Sequence, residues 1–132
     1  IKEGVCDLAV INHYYMAKML KDPEQVPWAQ SVNVIFPNQE NRGTHMNVSG
    51  VALTKHAPNK ENAIKLMTFL ASEAGQEMYA QKNAEYPVKP GVLWSALQYS
   101  WGSFKEDSLS LAAVADNRAA AIKLADEVKY ND

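Results

Sequence analysis

The segment Val5–Ile11 constrains the fold of this chain more than any other. It is apolar except for Asp7, and such a nearly continuous run is typical of a strand that is buried on both faces of a parallel sheet. Cys6 lies within the run, and we expect it to be a buried strand residue because free cysteine is among the most buried residue types. A strand of this kind needs partner strands and covering helices, so the run predicts an α/β fold.

The residues that follow predict a helix at the carboxyl end of this strand. Asn12 is a favourable N-cap residue, the segment 14–20 has the composition of a short helix, and Asp22-Pro23 stops it. The segment 23–30 contains prolines without any periodicity, which predicts a surface connection. The expected unit is therefore a strand, a tight turn and a short helix.

The rest of the chain predicts further strands followed mainly by helices. Residues 94–104 are aromatic and irregular, and so few strands cannot close a sheet by themselves. We therefore expect that missing sequence or a second chain completes the sheet. Strands are expected at 32–36 and 45–53, and helices at 59–70, 72–81 and 110–129, the last in two pieces with Asp116 capping the second.

Composition and charge narrow the class of protein. With 132 residues, of which 47% are hydrophobic and 21% charged, the chain has the composition of a globular domain. A net charge of -2 gives no attraction for phosphate backbones, so nucleic acid is not an expected partner. The single cysteine excludes a disulfide framework and a multi-cysteine zinc site. No nucleotide-binding loop or nucleophile motif is present, and we do not expect an enzyme.

The cluster Asn12-His13-Tyr14-Tyr15 is the main candidate for a binding site. It follows a predicted strand and begins a predicted helix, which is where open α/β sheets bind ligands. Ferric iron is a hard trivalent ion that prefers anionic oxygen, and a phenol gives up its proton when such an ion coordinates it. Consecutive residues in mid-helix diverge by about 100°. We expect Tyr14 and Tyr15 to converge nonetheless, because the backbone at a helix start is not yet helical.

Packing is the competing interpretation of these residues. Adjacent tyrosines at the end of a strand are commonly one core ring and one surface ring, and His13 at a helix start is more often a solvated or capping group than a ligand. His45 and His56 have no metal-binding partner at a suitable spacing. The aromatic side chains that could line a stacking groove are more simply explained by core or interface packing. These are Trp94, Tyr99, Trp101 and Phe104.

Several segments together resemble the bacterial periplasmic ferric-iron-binding proteins, the solute-binding components of iron ABC transporters. The sequence Cys-Asp-Leu-Ala-Val-Ile-Asn-His-Tyr-Tyr at 6–15 is similar to the double-tyrosine segment of that family. The resemblance continues to the end of the chain and is closest to the branch that is also found in cyanobacteria. The further matching segments are 37–39, 42–53, 57–63 and 83–88.

The resemblance implies a two-lobed periplasmic binding protein of the second structural type, which traps iron between lobes that close about a hinge. Tyr14 and Tyr15 would be phenolate ligands of ferric iron. Asn12 matches an asparagine that helps to hold a small synergistic anion, such as carbonate or phosphate, in some members. The implied partners are the ABC transporter permease and the rest of the protein, and the implied location is the periplasm.

The resemblance also implies how the chain is divided, and it leaves two alternatives open. Residues 1–36 would be the end of the second lobe, 37–55 the region of strands that cross the hinge, and 56–132 the helical C-terminal part. Family members are much longer, so an N-terminal lobe or a second chain would supply the remaining ligands. The alternatives are a binding protein for another small solute, in which the tyrosines contact an organic ligand, and a fragment that acts only as an assembly module.

Overall fold

The computed structural model describes residues 1–130 and divides the chain into two compact units. One unit combines Ile1–Ile35 with Val48–Ser103, and the other combines Phe36–Asn47 with the chain from Phe104 onward. Helices α1 to α5 belong to the first unit, and α6 belongs to the second. They are α1 (Tyr14–Met19), α2 (Val26–Ala29), α3 (Lys60–Leu70), α4 (Glu73–Asn83), α5 (Ala96–Ser100) and α6 (Leu111–Glu127).

The core of the first unit forms where α1 packs against α2 and α4. Met16 and Ala17 of α1 are buried, as are Ala29 of α2 and Ala80 of α4. The three alanines among these residues have small side chains, which favour close packing of the helices. Helix α3 packs against α4 and has no buried residue among those described.

Helices α4 and α5 begin at serine caps, as their sequences favour. The Ser72 side chain accepts a hydrogen bond from the Gly75 N–H, and Ser95 with Gln98 forms a complete capping box. Helix α4 ends at Ala84, which has a φ of 53° in the left-handed region that glycine usually occupies. The backbone at the end of α4 is therefore held in a conformation that the Cβ of Ala84 disfavours.

The second unit is organised around a parallel bridge between Thr44 and Glu106. The Thr44 N–H donates to the Lys105 carbonyl at 2.8 Å, and the Asp107 N–H donates to the Thr44 carbonyl at 2.8 Å. Gly43 has a φ of 96°, and a Cβ there would lie 2.6 Å from the Glu106 carbonyl oxygen. Only glycine fits this approach of the two segments.

The strand predictions are not confirmed by residues 1–130. The segments 5–11, 32–36 and 45–53 form no strand, and the bridge of the second unit is isolated. Cys6 is exposed, so the prediction that it is buried is wrong. Val10, which is 98% exposed, belongs to the same unpaired segment. The physical reason is that a strand buried in a parallel sheet requires neighbouring strands, and the described residues supply none.

Several helix boundaries also differ from the prediction. Asn12 is not the N-cap of α1, since His13 occupies that position with helical φ and ψ. The predicted connection at 23–30 contains α2, because Pro27 lies in the first turn, where its missing N–H costs nothing. The aromatic stretch contains α5. Helix α6 is one continuous helix that starts at the Ser110 cap, and Asp116 lies inside it.

The predicted division into 1–36, 37–55 and 56–132 stays a prediction, and its last two positions lie outside the described residues. No helix within residues 1–130 is long and apolar enough to cross a membrane.

Candidate metal centre

The rings of Tyr14 and Tyr15 lie against each other in the first turn of α1. Their centroids are 4.6 Å apart and their planes are tilted by 38°. The reason that we expected for this convergence is wrong, because both tyrosines and the preceding His13 have helical backbone. The rings approach through their side-chain torsions, which turn both phenols to the same side.

Neither phenol is a core residue. Tyr14 is half-buried, and Tyr15 is 45% exposed. The two buried residues of α1 are instead Met16 and Ala17. Packing in the core therefore does not explain why this helix begins with two adjacent tyrosines.

Neighbouring groups perturb the ionisation of Tyr14. The pKa of Tyr14 is raised, chiefly because of its hydrogen bond with Tyr15, and further because of partial desolvation and the negative charges of Tyr15 and Glu85. A hydrogen bond from the Asn12 side chain acts in the opposite direction and lowers this pKa. The two rings lie side by side, with centroids 4.6 Å apart, so one cation could contact both phenols. Because the Asn12 side chain affects this pKa, it lies next to the phenol of Tyr14.

Lys18 lies one turn further along α1 and contacts both phenols. Its Nζ is 5.3 Å from the ring centroid of Tyr14 and 5.3 Å from that of Tyr15. This distance is within the range of a cation–π interaction, which at an exposed site contributes about 0.5–1 kcal/mol. The ammonium thus helps to keep the two rings together.

The His13 side chain makes contacts within the protein, whereas the sequence predicts a solvated or capping group. Its Nε2 lies 2.7 Å from the carbonyl oxygen of Ala84, and its ring packs against those of Tyr86 and Trp101 at centroid distances of 5.0 and 5.8 Å. Because a carbonyl only accepts, Nε2 carries the hydrogen and donates it. His13 therefore anchors the start of α1 to the end of α4. Local sequence patterns could not reveal a contact between residues so far apart in the chain.

The aromatic stretch after α4 extends this anchor. Tyr86 packs edge-on against Trp94 at 4.8 Å, and Trp94 lies 5.4 Å from Tyr99. Burial raises the pKa of Tyr86 to about 12, so this phenol stays protonated at neutral pH. Packing is therefore the observed use of these aromatic residues. Phe104, the last of the predicted set, belongs to the second unit and stacks on Phe36 at 4.2 Å.

Glu85 is a residue near the site that sequence reasoning missed. Its carboxylate accepts hydrogen bonds from the Ser49 hydroxyl at 2.8 Å and from the Asn83 amide at 3.3 Å. In the part of the chain that the structure describes, no group of three or more histidine, cysteine, aspartate or glutamate residues is arranged to hold a metal ion. The convergent oxygens at the start of α1 are phenolic instead.

Comparison with known proteins places the chain in a family. Residues 9–106 match the family model of bacterial extracellular solute-binding proteins, and the chain belongs to this family. It is 46% identical to iron uptake protein A1 of Synechocystis sp., in an alignment that covers 98% of this chain and 37% of that protein. The chain therefore spans well under half the length of this relative.

Solved structures of ferric-binding proteins follow the same backbone path. The ferric iron-binding protein A of Mannheimia haemolytica, in an open conformation, is 50% identical with a TM-score of 0.89, covering 99% of this chain and 41% of that one. A Trichodesmium protein in complex with iron and citrate ligands is 41% identical with a TM-score of 0.85, covering 96% and 40%. The resemblance to ferric-iron-binding proteins that the sequence indicates is thereby confirmed.

Proposed function

We propose that this chain is the C-terminal part of a two-lobed periplasmic protein that binds ferric iron and delivers it to an ABC transporter, with Tyr14 and Tyr15 as phenolate ligands. The observation that supports the proposal is the convergence of these two phenols, whose ring centroids are 4.6 Å apart. The chain that carries them is 50% identical to the aligned part of a ferric iron-binding protein. Iron is the cargo of such a protein.

The chemistry of paired phenols suits a trivalent ion. An unperturbed phenol has a pKa of about 10, and coordination to ferric iron removes its proton. Two phenolates then cancel two of the three positive charges, and the hydrogen bond that raises the pKa of Tyr14 is replaced by the metal. Iron would therefore compete with the phenol protons for the same oxygens.

The remaining ligands would come from the part of the protein outside this chain. The relatives are considerably longer, since the alignment covers only 41% of the Mannheimia protein. The exposed apolar segment 5–11 follows a relative's backbone path without any strand partner among residues 1–130. Val10 and Leu8, which are 98% and 77% exposed, would be covered when that missing part completes the sheet. We propose the missing part of the same chain as this cover.

Asn12 would hold a small anion that binds together with the iron. Its side chain already reaches the phenol of Tyr14, and an amide can donate to a carbonate or phosphate oxygen beside the metal. The anion would complete the charge balance that two phenolates leave unfinished.

Visible absorption tests this function directly, because phenolate bound to ferric iron gives a charge-transfer band. We expect the full-length protein to turn orange to purple with ferric citrate, and the Tyr14→Phe, Tyr15→Phe double variant to stay colourless. The matched control is the Tyr99→Phe, Tyr130→Phe double variant, which removes as many hydroxyl groups at exposed positions. A colourless wild-type protein whose melting temperature does not change with iron would overturn the proposal.

A further inference from the structure

The carbonyl group of Ala84 joins three separate segments of the first unit. It accepts a hydrogen bond from His13 Nε2 at 2.7 Å and another from Gln98 Nε2 at 3.1 Å. A carbonyl oxygen has two lone pairs, so these two donors use its full capacity. The start of α1, the end of α4 and the start of α5 therefore meet at one oxygen atom.

The Gln98 side chain makes several hydrogen bonds at this junction. It is fully buried, and its side-chain carbonyl accepts from the Ser95 N–H at 2.7 Å and from the Ser95 hydroxyl at 2.9 Å. Its amide is thereby oriented with the NH₂ group toward Ala84. Buried polar groups that are fully paired specify one geometry, because every alternative leaves a polar group unsatisfied.

The backbone of Ala84 depends on these contacts. Its φ of 53° is unfavourable for a residue with a Cβ, and such a conformation persists only when the surroundings determine it. Ala84 is itself 3% exposed. The carbonyl that receives His13 is thus fixed in direction by the end of α4 and by Gln98.

His13 connects the Ala84 carbonyl to the start of α1, where the two phenols lie. It is the N-cap residue of α1 and directly precedes Tyr14, and its own carbonyl accepts from the Met16 N–H at 3.0 Å. The imidazole is held between Tyr86 and Trp101 while its Nε2 binds Ala84. Any change at the Ala84 oxygen therefore moves the residue from which the tyrosine pair begins.

We infer that His13 and Gln98, by binding the same carbonyl of Ala84, are positioning residues that orient the Tyr14–Tyr15 pair toward the ferric ion. The inference rests on the proposed iron-binding function. Neither residue is a ligand. Loss of a group that orients metal ligands typically lowers metal affinity about 10-fold to 100-fold.

The test compares two variants of the full-length protein with a matched control. His13→Phe keeps a ring between Tyr86 and Trp101 but removes the donor to Ala84, and Gln98→Met removes the second donor at similar volume. The control is Gln76→Met, because Gln76 also bridges two backbone groups of the first unit, the Leu70 carbonyl at 2.9 Å and the Val88 N–H at 2.9 Å. Each protein is titrated with ferric iron in competition with citrate, and the position of the charge-transfer band is recorded.

We expect His13→Phe and Gln98→Met to lower iron affinity about 10-fold to 100-fold and to shift the band, while Gln76→Met does neither. A folded variant of either residue that keeps the wild-type affinity overturns the inference. So does a fall in affinity with an unmoved band, which would indicate lost stability and not a changed orientation. If the wild-type protein gives no band at all, the proposed function fails instead, so the two failures are distinguishable.

Discussion

Tyr14 and Tyr15 are consecutive residues of helix α1, yet their ring centroids lie only 4.6 Å apart. Consecutive helical residues project about 100° apart, so both side chains must turn to bring the rings together. Lys18, at 5.3 Å from each ring, supports this arrangement before any metal is present. If the two phenols bind a metal ion as proposed, they would lose less conformational entropy on binding, because they are already together.

The two tyrosines should be separately necessary. We predict that Tyr14→Phe and Tyr15→Phe each lower iron affinity by at least about 10-fold, since a lost ligand weakens a metal site no less than a lost supporting group does. Equilibrium titration against citrate measures the change, and Tyr99→Phe is the control because Tyr99 packs against Trp94 away from the pair. A folded single variant with wild-type affinity would remove that tyrosine from the site.

The charge of Glu85 should contribute to the raised pKa of Tyr14. Its carboxylate raises the pKa of Tyr14, so Glu85→Gln removes a negative charge and lowers that pKa. The variant should form phenolate at lower pH in an ultraviolet titration of the iron-free protein. Glu77→Gln, on the exposed side of α4, should leave the titration unchanged. A Tyr14 pKa that stays the same or rises in Glu85→Gln would contradict the prediction.

Iron affinity should fall as the pH is lowered. Coordination requires phenolate, so binding releases protons, and acid opposes it by mass action. Because an ordinary phenol is protonated below a pH of about 10, this dependence covers the whole range below that value, and the raised pKa of Tyr14 extends it to higher pH. Titrations at several pH values measure the number of protons released, and an affinity that does not change with pH would exclude phenol ligands.

Gly43 should be intolerant of any side chain. Gly43→Ala places a Cβ 2.6 Å from the Glu106 carbonyl oxygen and also meets the cost of a left-handed conformation, which is about 1–2 kcal/mol. Gly91→Ala is the matched control, because Gly91 has a φ of 85° but no atom within 4 Å of the added Cβ. We expect Gly43→Ala to lower the free energy of unfolding by about 1–3 kcal/mol more than the control does. Urea denaturation gives both values, and equal losses would show that the approach of the two segments is not tight.

Tyr86 should make the folded state sensitive to alkali. Burial raises its pKa to about 12, whereas a tyrosine in the unfolded chain ionises at about 10. Its contribution to stability is therefore complete below pH of about 10 and is lost as the pH rises toward about 12. Tyr86→Phe should flatten this decline in the free energy of unfolding, and the exposed Tyr130→Phe should not. Parallel curves for wild type and Tyr86→Phe would refute the assignment.

Local signals in the sequence predicted much of the helical structure. Ser72 caps α4 as expected, and the chain leaves α1 before Asp22-Pro23. Both features depend on neighbouring residues only, which a linear pattern records. The strand predictions depend on partners that residues 1–130 do not contain, and Cys6 is exposed for that reason.

Some features of the candidate site could likewise be predicted from the sequence, and others could not. The adjacency of Tyr14 and Tyr15 and the position of Asn12 could be read from the chain itself. The contact of His13 with Ala84 joins residues separated by 71 positions, and Gln98 reaches the same oxygen from a stretch that seemed irregular. Sequence periodicity carries no signal for such contacts, because they depend on how helices pack. These long-range contacts are the ones that we infer to orient the phenols.

The unpaired segment Val5–Ile11 also has a consequence for aggregation. An apolar segment that has no strand partner among residues 1–130 is a template for pairing with any similar strand, including its own copies. A proteolytic cut that released this chain would thus expose a nucleus for cross-β aggregation. The exposed apolar residues of this segment would make the separated piece a substrate for chaperones and proteases.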